Sequence, residues 1–517
     1  MKLIIKIFLI FFINITNAQY YDVIIYEKIS NNSGGLEVTI DNEDWFGYSV
    51  ETIGDLNGDG INDVAVGSLK DDDGGFNKGA VYILFLNEDG SVNSHQKISD
   101  TEGGFDGDLD EWDIFGTSIS YLGDLNNDGF IEIGVGAEYD GDGGYWHGAV
   151  WILSLNNDGT VYSYQKISDT EGGFEGFLGD EDVFGTDIEF LGDLNNDGNN
   201  DIAVSARRDP DGGSDRGAVY ILFLNSDLTV NSFQKISDTE GGFEGDLDEQ
   251  DYFGGSVANI GDLNGDGVID LAVGAYRDDD GGNNKGAVYI LFMNSDGTVS
   301  DYQKISELYG NFEEGLNDFS FFGQSIDSVS DINEDGYKEI IVGARGLDAN
   351  DEQNLGAFFI INLNPDGTVN SSVKFSEGEQ SFDGNINSGD AFGFSVSFIK
   401  DLSEKNCIVV GACFDDVDGY QKGGVWILQL GEVFSIEDIN ETNQIFLFPN
   451  PTKNAFSLSD INDVKTIQVF DMYGKKIVSF SEIGRNFFSV AYLPVGEYII
   501  VVSNIDGNSS SYKLIKG

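Results

Sequence analysis

Basic residues are scarce in this chain. Only 27 Lys and Arg stand against 91 Asp and Glu, which gives a formal net charge of −64 at pH 7. Nucleic acids and anionic membrane surfaces both require clustered positive charge on the protein, so the composition excludes them as partners. Cations that prefer oxygen ligands are the natural partners of such a chain. A solvated, soluble surface accounts for most of the acidity.

Cysteine and histidine are also rare, with 2 of each. A disulfide scaffold is excluded at this length, and Cys407 and Cys413 are out of disulfide reach if they share a strand, so we expect two buried thiols. Neither His95 nor His147 stands out as a catalytic base, and no Ser-His-Asp arrangement has plausible members. We therefore expect a protein that is not an enzyme, although a carboxylate pair among so many acids keeps a hydrolase open.

Long apolar runs are missing as well. One short apolar run near the start of the chain, Phe8 to Ile13, is preceded by Lys2 and Lys6 and followed by the small residues Thr16-Asn17-Ala18. The run is too short to span a bilayer and has the layout of a secretory signal. We predict a signal peptide over residues 1–18 and an exported protein, extracellular or at the cell surface, that passes through the periplasm and has no transmembrane segment.

A repeated unit is the main positive feature of the sequence. The nonapeptide Asp55–Asp63, Asp-Leu-Asn-Gly-Asp-Gly-Ile-Asn-Asp, has counterparts whose first aspartate recurs every 69 residues, at Asp124, Asp193, Asp262 and Asp331. A weakened copy begins at Asp401. Phe-Gly pairs, Gly-Ala pairs and Lys-Ile-Ser segments keep the same period. A sustained period of this kind predicts one structural unit that is built several times.

Each unit has the pattern of four β-strands. Examples are Phe115–Leu122, Val64–Gly67, Ala80–Leu86 and Ser91–Ser99. Four antiparallel strands repeated radially predict an all-β fold, a β-propeller. The last unit lacks its fourth strand, and residues 21–30 supply a spare one that would close the ring. We expect six blades, with seven as the alternative.

The nonapeptides have the spacing of a metal loop. Oxygen-bearing residues alternate with others, a glycine occupies position 6, and an acid closes the loop. Oxygen-only donors in this pattern favour Ca²⁺ over Mg²⁺ or Zn²⁺. The predicted ligands, with the carbonyl oxygen at the fourth member of each set, form about five sites: Asp55, Asn57, Asp59, Ile61, Asp63; Asp124, Asn126, Asp128, Phe130, Glu132; Asp193, Asn195, Asp197, Asn199, Asp201; Asp262, Asn264, Asp266, Val268, Asp270; and Asp331, Asn333, Asp335, Tyr337, Glu339.

Two alternative interpretations of these loops are disfavoured. Asp-Gly and Asn-Gly also make simple turns, but five copies in phase argue against turns alone. An EF-hand is disfavoured because no helices flank the loop and no Glu stands at position 12. The copy at Asp401 is shorter, with Lys405 inside it and Cys407 in place of the last acid. We predict no metal there.

Together these markers resemble the FG-GAP repeat of integrin α-subunit propellers and their bacterial relatives. The resemblance covers about residues 26–430 and is specific, because Phe-Gly, the acidic loop and Gly-Ala recur together. It implies a propeller whose loops hold Ca²⁺ between the first two strands of a blade, and a role in adhesion or recognition. The seven blades that are usual in that family differ from the six expected here.

The C-terminal segment has a different composition. From Gln444 to Gly517 we count seven bases and six acids, and three of the five prolines lie here. Alternating strands and polar turns predict a small β-sandwich. Phe448-Pro-Asn-Pro451, Leu493-Pro-Val-Gly-Glu-Tyr498 and Lys513-Leu-Ile-Lys516 resemble the type A sorting domain of the type IX secretion system of Bacteroidetes. The resemblance implies that the type IX machinery is a partner. We expect a propeller over 19–431, a linker over 432–443 and the sorting domain over 444–517.

Strand direction places the metal loops and the hairpin turns on one face and the longer loops on the other, where binding is usual. On that face Trp112 and Trp146 occupy positions that are polar in other repeats, and Tyr145 precedes the second. We predict that these three residues contact a glycan or a protein partner. Local loop packing is the simpler alternative. For the whole protein, a hydrolase or lyase acting on polysaccharide at the propeller axis and a purely structural surface protein are the competing functions.

Overall fold

The computed structural model describes residues 21–329, 331–332, 336–348, 354–402, 405–416, 419–432, 447–448, 452–458, 464–471, 475–480, 487–504 and 509–516. The predicted signal peptide, most of the predicted linker, and the ligands Asn333 and Asp335 lie outside these residues. The described residues form strands, turns and bends, with no helix among them. By contacts they divide into two compact units, 21–431 and the part from 432 onward.

Residues 21–431 form six four-stranded sheets. Their strands are β1 Tyr21–Ser30, β2 Phe46–Gly54, β3 Asp63–Ser68, β4 Ala80–Leu86, β5 Val92–Ile98, β6 Ile119–Gly123, β7 Ile131–Ala137, β8 Ala149–Leu155, β9 Val161–Ile167, β10 Phe184–Gly192, β11 Asp201–Ala206, β12 Ala218–Leu224, β13 Val230–Ser237, β14 Phe253–Gly261, β15 Asp270–Ala275, β16 Ala287–Met293, β17 Val299–Ser306, β18 Phe322–Val329, β19 Lys338–Ala344, β20 Ala357–Leu363, β21 Val369–Phe375, β22 Ser395–Ile399, β23 Cys407–Ala412 and β24 Gly424–Glu432.

Within each sheet the strands are antiparallel neighbours in chain order, from β2-β3-β4-β5 to β18-β19-β20-β21. The second and third strands are buried along their length because they are continuous runs of apolar residues. The fourth alternates and is half exposed. Apolar clusters fill the space between one sheet and the next. The predicted all-β fold of repeated four-stranded antiparallel sheets is confirmed.

The last sheet is completed from the start of the chain. Its order is β1-β24-β23-β22, so β1 occupies the fourth place. The first strands contact one another in the sequence β2, β6, β10, β14, β18, β22, and β22 contacts β2. One apolar cluster joins Phe46 and Val64 of the first sheet to Val409 and Ile427 of the last. The expected closure by residues 21–30 is confirmed.

The repeat markers make the joints between sheets. Gly79 of one sheet forms a parallel bridge with Phe115 of the next, and the same bridge recurs around the ring up to Phe46 and Gly423. Gly79 has φ +87°, and a Cβ there would lie 2.1 Å from the carbonyl oxygen of Phe115. Glycine is therefore required at this position both for its backbone conformation and for the close approach. The phenylalanine rings of the Phe-Gly pairs are fully buried.

The Lys-Ile-Ser marker supplies an ion-pair network. Lys97 lies 2.7 Å from Asp71 and 2.6 Å from Asp73, both in the loop between β3 and β4. The hydroxyl of Tyr82 donates to the same Asp71 at 3.3 Å. Equivalent pairs join Lys166 to Asp140, Lys235 to Asp209 and Lys304 to Asp278. Each pair fixes a loop on the face away from the metal loops.

Some strand limits differ from those predicted. The strand expected at Phe115–Leu122 is β6, Ile119–Gly123, and Phe115 lies before it as an isolated bridge to Gly79. The strand expected at Ser91–Ser99 is β5, Val92–Ile98, since Ser91 belongs to the hairpin turn. Ala80–Leu86 is found as predicted. Cys407 and Cys413 are free and buried.

The C-terminal unit has two sheets. Its strands are β25 Leu447–Phe448, β26 Ala455–Leu458, β27 Val464–Phe470, β28 Lys476–Phe480, β29 Phe488–Ser489, β30 Gly496–Asn504 and β31 Ser509–Lys516. The sheet orders are β25-β26-β29 and β28-β27-β30-β31. Residues of both sheets share one apolar core that includes Phe456, Ile467 and Ile500. No helix among the described residues is long and apolar enough to cross a membrane.

Candidate functional site

The metal loops connect the first and second strands of each sheet. Asp55 follows β2, and its Oδ1 accepts the amides of Gly58 at 2.8 Å and Asp59 at 2.9 Å. Its Oδ2 accepts the amide of Gly60 at 2.8 Å. The bond from the glycine at position 6 to the first aspartate recurs in the other four loops. The repeat therefore fixes the same hydrogen bond between the first aspartate and the glycine at position 6 in all five loops.

Position 6 of the loop requires glycine for conformation alone. Gly60 has φ +91° and Gly129 has φ +94°, yet a Cβ at either would meet nothing within 4 Å. L-residues rarely adopt this backbone conformation. It turns the chain so that Asp55, Asn57 and Asp59 lie on one loop and the position 7 amide donates to Asp59 at 2.9 Å.

The last acid of each loop is buried where the second strand begins. Asp63 Oδ2 accepts the amide of Leu56 at 3.1 Å, and Oδ1 accepts that of Leu86 at 3.3 Å, so one carboxylate ties the loop to β3 and β4. Burial raises the pKa of Asp63 to about 7 and that of Asp201 to about 6. A neighbouring cation would favour the charged form of such a buried carboxylate.

The donors fit a hard cation by type. By sequence, each of the five loops offers three carboxylates, one amide oxygen and one backbone carbonyl, the donor set that Ca²⁺ prefers. No cluster of three or more His, Cys, Asp or Glu in a metal-holding arrangement is found among the described residues. The expected coordination is mixed, with Asn and carbonyl donors, so the fit rests on the chemistry and spacing of the donors. In the copy at Asp401, buried Cys407 begins β23 where the other loops have an acid.

The opposite face carries a groove. A cavity of about 620 Å³ is lined by Asp110, Glu111, Trp112, Asp113, Tyr139, Gly141, Gly144, Tyr145 and Trp146. The three predicted contact residues are thus brought together, with Trp112 on the loop before β6 and the other two on the loop between β7 and β8. Trp112 is 47% exposed and Tyr145 is 54% exposed. We name this cavity the aromatic groove.

The rings of the aromatic groove are held in place. Trp146 stacks on Tyr139 with centroids 4.3 Å apart and on Tyr145 at 4.4 Å. Trp112 makes an edge contact with Phe76 at 4.9 Å. Trp146 has φ +53°, and its counterparts Asn77 and Asp215 have φ +50° and +51°. Asn and Asp tolerate this conformation, whereas a bulky Trp is unfavourable there, so local folding alone does not explain Trp146.

Carboxylates on the ring axis were missed from the sequence. Glu51 on β2, Glu189 on β10 and Asp327 on β18 occupy one repeat position, and Asp187 lies beside them. They line an axial cavity of about 90 Å³. Burial raises the pKa of Asp187 to about 7, and burial together with the neighbouring carboxylates raises the pKa of Glu51 and Glu189. Comparing strand residues 69 apart would have found them, because β6, β14 and β22 carry Ser120, Ala258 and Ser397 there.

Comparison with known families matches two kinds of domain. Models described as "FG-GAP repeat" match residues 46–84, 184–222 and 244–292. A model described as "Secretion system C-terminal sorting domain" matches residues 446–517. The sorting domain indicates export to the cell surface or the extracellular space. The resemblances inferred from the sequence are confirmed.

The related proteins are integrin α chains. Integrin alpha-3 of Cricetulus griseus is 33% identical over 202 residues, which is 38% of this chain and 17% of that protein. Integrin alpha-PS5 of Drosophila melanogaster is 30% identical over 244 residues, 47% of this chain and 22% of the relative. Integrin alpha-5 of Xenopus laevis is 34% identical over 242 residues, 45% and 20%. The chain thus spans about a fifth of the length of these relatives.

Proposed function

Because this chain carries FG-GAP repeats and a secretion-system sorting domain, we propose that it is an exported recognition protein. In this proposal the propeller is stabilised by Ca²⁺ on one face and binds a glycan on the other. The type IX machinery is its export partner. The aromatic groove carries the proposal, since Trp146 stands at a repeat position where Asn or Asp suits the backbone better.

The groove suits a sugar by its chemistry. A pyranose ring has apolar C–H faces and hydroxyl edges. The stacked rings of Tyr145 and Trp146 offer a flat apolar surface, while Asp110 and Glu111 at the rim offer acceptors for hydroxyl groups. The volume of about 620 Å³ lies in the range of small-ligand pockets. A protein partner would need a larger apolar area than these few rings provide.

Calcium has a structural role in this proposal. The five loops from Asp55–Asp63 to Asp331–Glu339 each join the first and second strands of a sheet. The long loops that line the groove leave the opposite ends of the strands. Calcium would therefore fix the blade without touching the glycan. The coordination by the named residues is part of the proposal.

An enzyme acting at the axis is the less favoured alternative. The carboxylates of Glu51, Glu189 and Asp327 face a cavity of about 90 Å³. Ordinary ligand pockets have roughly 300–1,000 Å³, so this cavity holds a few waters rather than a sugar ring. We infer that the protein binds its glycan without turning it over.

A glycan array followed by calorimetry tests the proposal. The exported chain, residues 19–517, is screened with Ca²⁺ present, and the affinity of the best glycan is measured for wild type, Trp112→Ala and Trp146→Ala. Each variant should lose at least roughly tenfold in affinity, because an aromatic anchor is worth about 2 kcal/mol or more. Phe177→Ala is the matched control, since Phe177 is 85% exposed and lies outside the groove.

Two results would count against the proposal. An empty array, together with no capture of soluble polysaccharide, would favour a purely structural surface protein. Binding that survives both tryptophan substitutions would move the site elsewhere on the propeller. Turnover of a bound polysaccharide that Glu189→Gln abolishes would replace the proposal by an enzyme working at the axis.

A further inference from the structure

Six residues occupy one repeat position on the face that carries the aromatic groove, and Glu138, Arg207 and Tyr276 among them line the axial cavity. Each directly follows the second strand of its sheet, and together they are Leu69, Glu138, Arg207, Tyr276, Arg345 and Cys413. We name this ring the axial mouth. All six repeats are alike at the joints and five are alike in the metal loops, yet the axial mouth has a different residue in nearly every sheet. Such variation at one repeat position is a mark of function rather than of folding.

One cation of the axial mouth is already neutralised. Arg207 lies 2.5 Å from Glu138 through Nη1, and its Nη2 donates to the other carboxylate oxygen at 3.1 Å. The two side chains thus form a bidentate pair, the arrangement in which guanidinium and carboxylate are most complementary. Arg207 and Glu138 therefore form a structural pair and leave no charge for a ligand.

Arg345 is held differently. Its Nε donates to the side-chain oxygen of Gln324 at 2.9 Å, and its guanidinium lies 4.1 Å from the ring centroid of Phe321 and 5.4 Å from that of Phe394. Gln324 and Phe394 also line the axial cavity. Among the described residues, no carboxylate within 4.0 Å pairs with Arg345, unlike the paired Arg207, Arg208 and Arg216. Its terminal nitrogens keep donors for a further partner.

Two more cations near the axial mouth rest on aromatic rings. The guanidinium of Arg277 lies 4.5 Å from the centroid of Tyr252, and its buried Nε has no hydrogen-bond partner. The ammonium of Lys70 lies 3.4 Å from the centroid of Trp45. Burial lowers the pKa of Lys70, although the negative charge of nearby Glu43 partly opposes this. Burial also lowers the pKa of Arg345.

These cations are anomalous in this protein. With 91 acids against 27 bases, a carboxylate is available almost everywhere, yet Arg345 and Arg277 are packed against rings instead. Partly buried charges without a counter-ion are costly. A ligand carboxylate would remove that cost, and a guanidinium can bind it through two parallel hydrogen bonds.

The axial mouth is continuous with the aromatic groove. Tyr139 directly follows Glu138, and its ring stacks on Trp146 at 4.3 Å. The charge of Glu138 and burial raise the pKa of Tyr139, and Arg207 opposes this rise, so the Tyr139 hydroxyl lies near the pair of Glu138 and Arg207. A chain of sugars that leaves the stacked rings over Tyr139 therefore arrives at the basic residues of the axial mouth.

We propose that the glycan is acidic and that the axial mouth binds the carboxylate of one of its uronic acid residues, with Arg345 as the main donor and Arg277 beside it. This inference rests on the proposed function and deepens it. The aromatic groove supplies affinity for the sugar rings, and the axial mouth supplies the choice between charged and neutral glycans. The acidic surface of the rest of the protein repels the same polymer elsewhere.

The test compares a hexameric oligogalacturonate with the same hexamer after methyl esterification, at fixed Ca²⁺, on residues 19–517. Wild type should bind the acid form roughly tenfold or more tightly, because only the free carboxylate forms charge-assisted hydrogen bonds with Arg345. Arg345→Met should abolish this preference while leaving the affinity for the ester unchanged. Arg345→Lys should restore part of it. Lys400→Met is the matched control, because it removes an exposed charge on the face that carries the metal loops.

The two proposals fail separately in this experiment. Trp146→Ala should weaken the binding of both hexamers. If the affinity for both stays unchanged, the proposed function is overturned. Equal binding of acid and ester by wild type, or an unchanged preference in Arg345→Met, would overturn the inference about the axial mouth alone. Equally tight binding of hexa-aspartate would make an acidic peptide the ligand and also overturn it. If Arg345→Met lowers the melting temperature sharply, the inference is tested with Arg277→Met and with the salt dependence of the wild-type preference for the acid form. That preference should decrease as salt is added, because only a charge contact weakens with salt.

Discussion

Phe46 forms with Gly423 the same parallel bridge that Phe115 forms with Gly79. The first pair joins the beginning of the repeat region to its end, and the second joins neighbouring sheets. The amide of Phe46 donates to the carbonyl of Lys422 at 3.0 Å, as that of Phe115 donates to Lys78 at 2.8 Å. The ring is therefore closed by the contact that also propagates it, and closure needs no special sequence.

The closing sheet depends on an ion pair between β1 and the last loop. Lys28 of β1 pairs with Asp415, whose side chain is 3% exposed. We expect Lys28→Met to lower the free energy of unfolding by about 1–3 kcal/mol, because it removes the cation of a buried carboxylate. Amide hydrogen exchange should quicken in β1 and β24. Lys166→Met, which breaks the same contact to Asp140 in a continuous sheet, should leave exchange in β1 unchanged. Unchanged exchange in both variants would contradict a role for Lys28 in closure.

Calcium should stabilise the propeller. Each occupied site adds about 2.7 kcal/mol at a free ion concentration one hundred times its Kd, so chelator should lower the melting temperature by several degrees. Asp128→Asn removes one charge from the second loop and should reduce the gain from Ca²⁺. Asp401→Asn makes the same change in the loop predicted to hold no ion and should leave the gain intact. A melting temperature that chelator does not move would reduce the loops to turns.

Export should depend on the C-terminal unit. In a host with a type IX secretion system, the chain without residues 444–517 should accumulate inside the cell, while the full chain reaches the surface or the medium. Cell fractionation with an antibody against the propeller measures the distribution. Residues 444–517 fused to a periplasmic reporter are the matched test. Failure of that fusion to leave the cell would show that the tail alone is not a sufficient signal.

Most of the fold could be predicted from the 69-residue period of the sequence. Phe115 and Gly79 recur at fixed spacing because each makes a contact that joins neighbouring sheets, and the sequence displays such contacts directly. Strand limits were less accurate: Phe46 and Phe184 begin their strands, whereas the equivalent Phe115 lies outside β6, although all three make the same bridge. The partner of β1 was found because the last unit lacked a strand of its own.

The candidate site was harder to predict because function breaks the repeat. Trp112 and Trp146 could be found by their departure from polar counterparts, but their assembly into one groove depends on two loops from different repeats meeting. Glu51, Glu189 and Asp327 escaped notice because alternate sheets carry them. Arg345 could not be identified at all, since its lack of a carboxylate partner is a property of packing rather than of sequence.

Stability should fall as pH rises from about 4 to about 7. Burial raises the pKa of Asp44, Asp113 and Asp251 to about 7, well above the ordinary value of 3.8 for aspartate. The folded state then binds more protons than the unfolded state across this interval, and its free energy of unfolding decreases with pH. Chelator must be present, so that calcium loading does not vary along the titration. Chemical denaturation at several pH values measures the slope.

Asp251→Asn separates this effect from general charge repulsion. Asp251 accepts the amide of Asp248 at 2.8 Å, and an amide oxygen can accept the same bond without becoming charged. The variant should be more stable than wild type at pH 8 and should show a smaller slope between pH 5 and 8. Glu249→Gln removes one charge from the exposed side of the same loop. If the two variants change the slope equally, net repulsion rather than burial of Asp251 governs the pH dependence, because repulsion depends on the total charge and burial depends on the site.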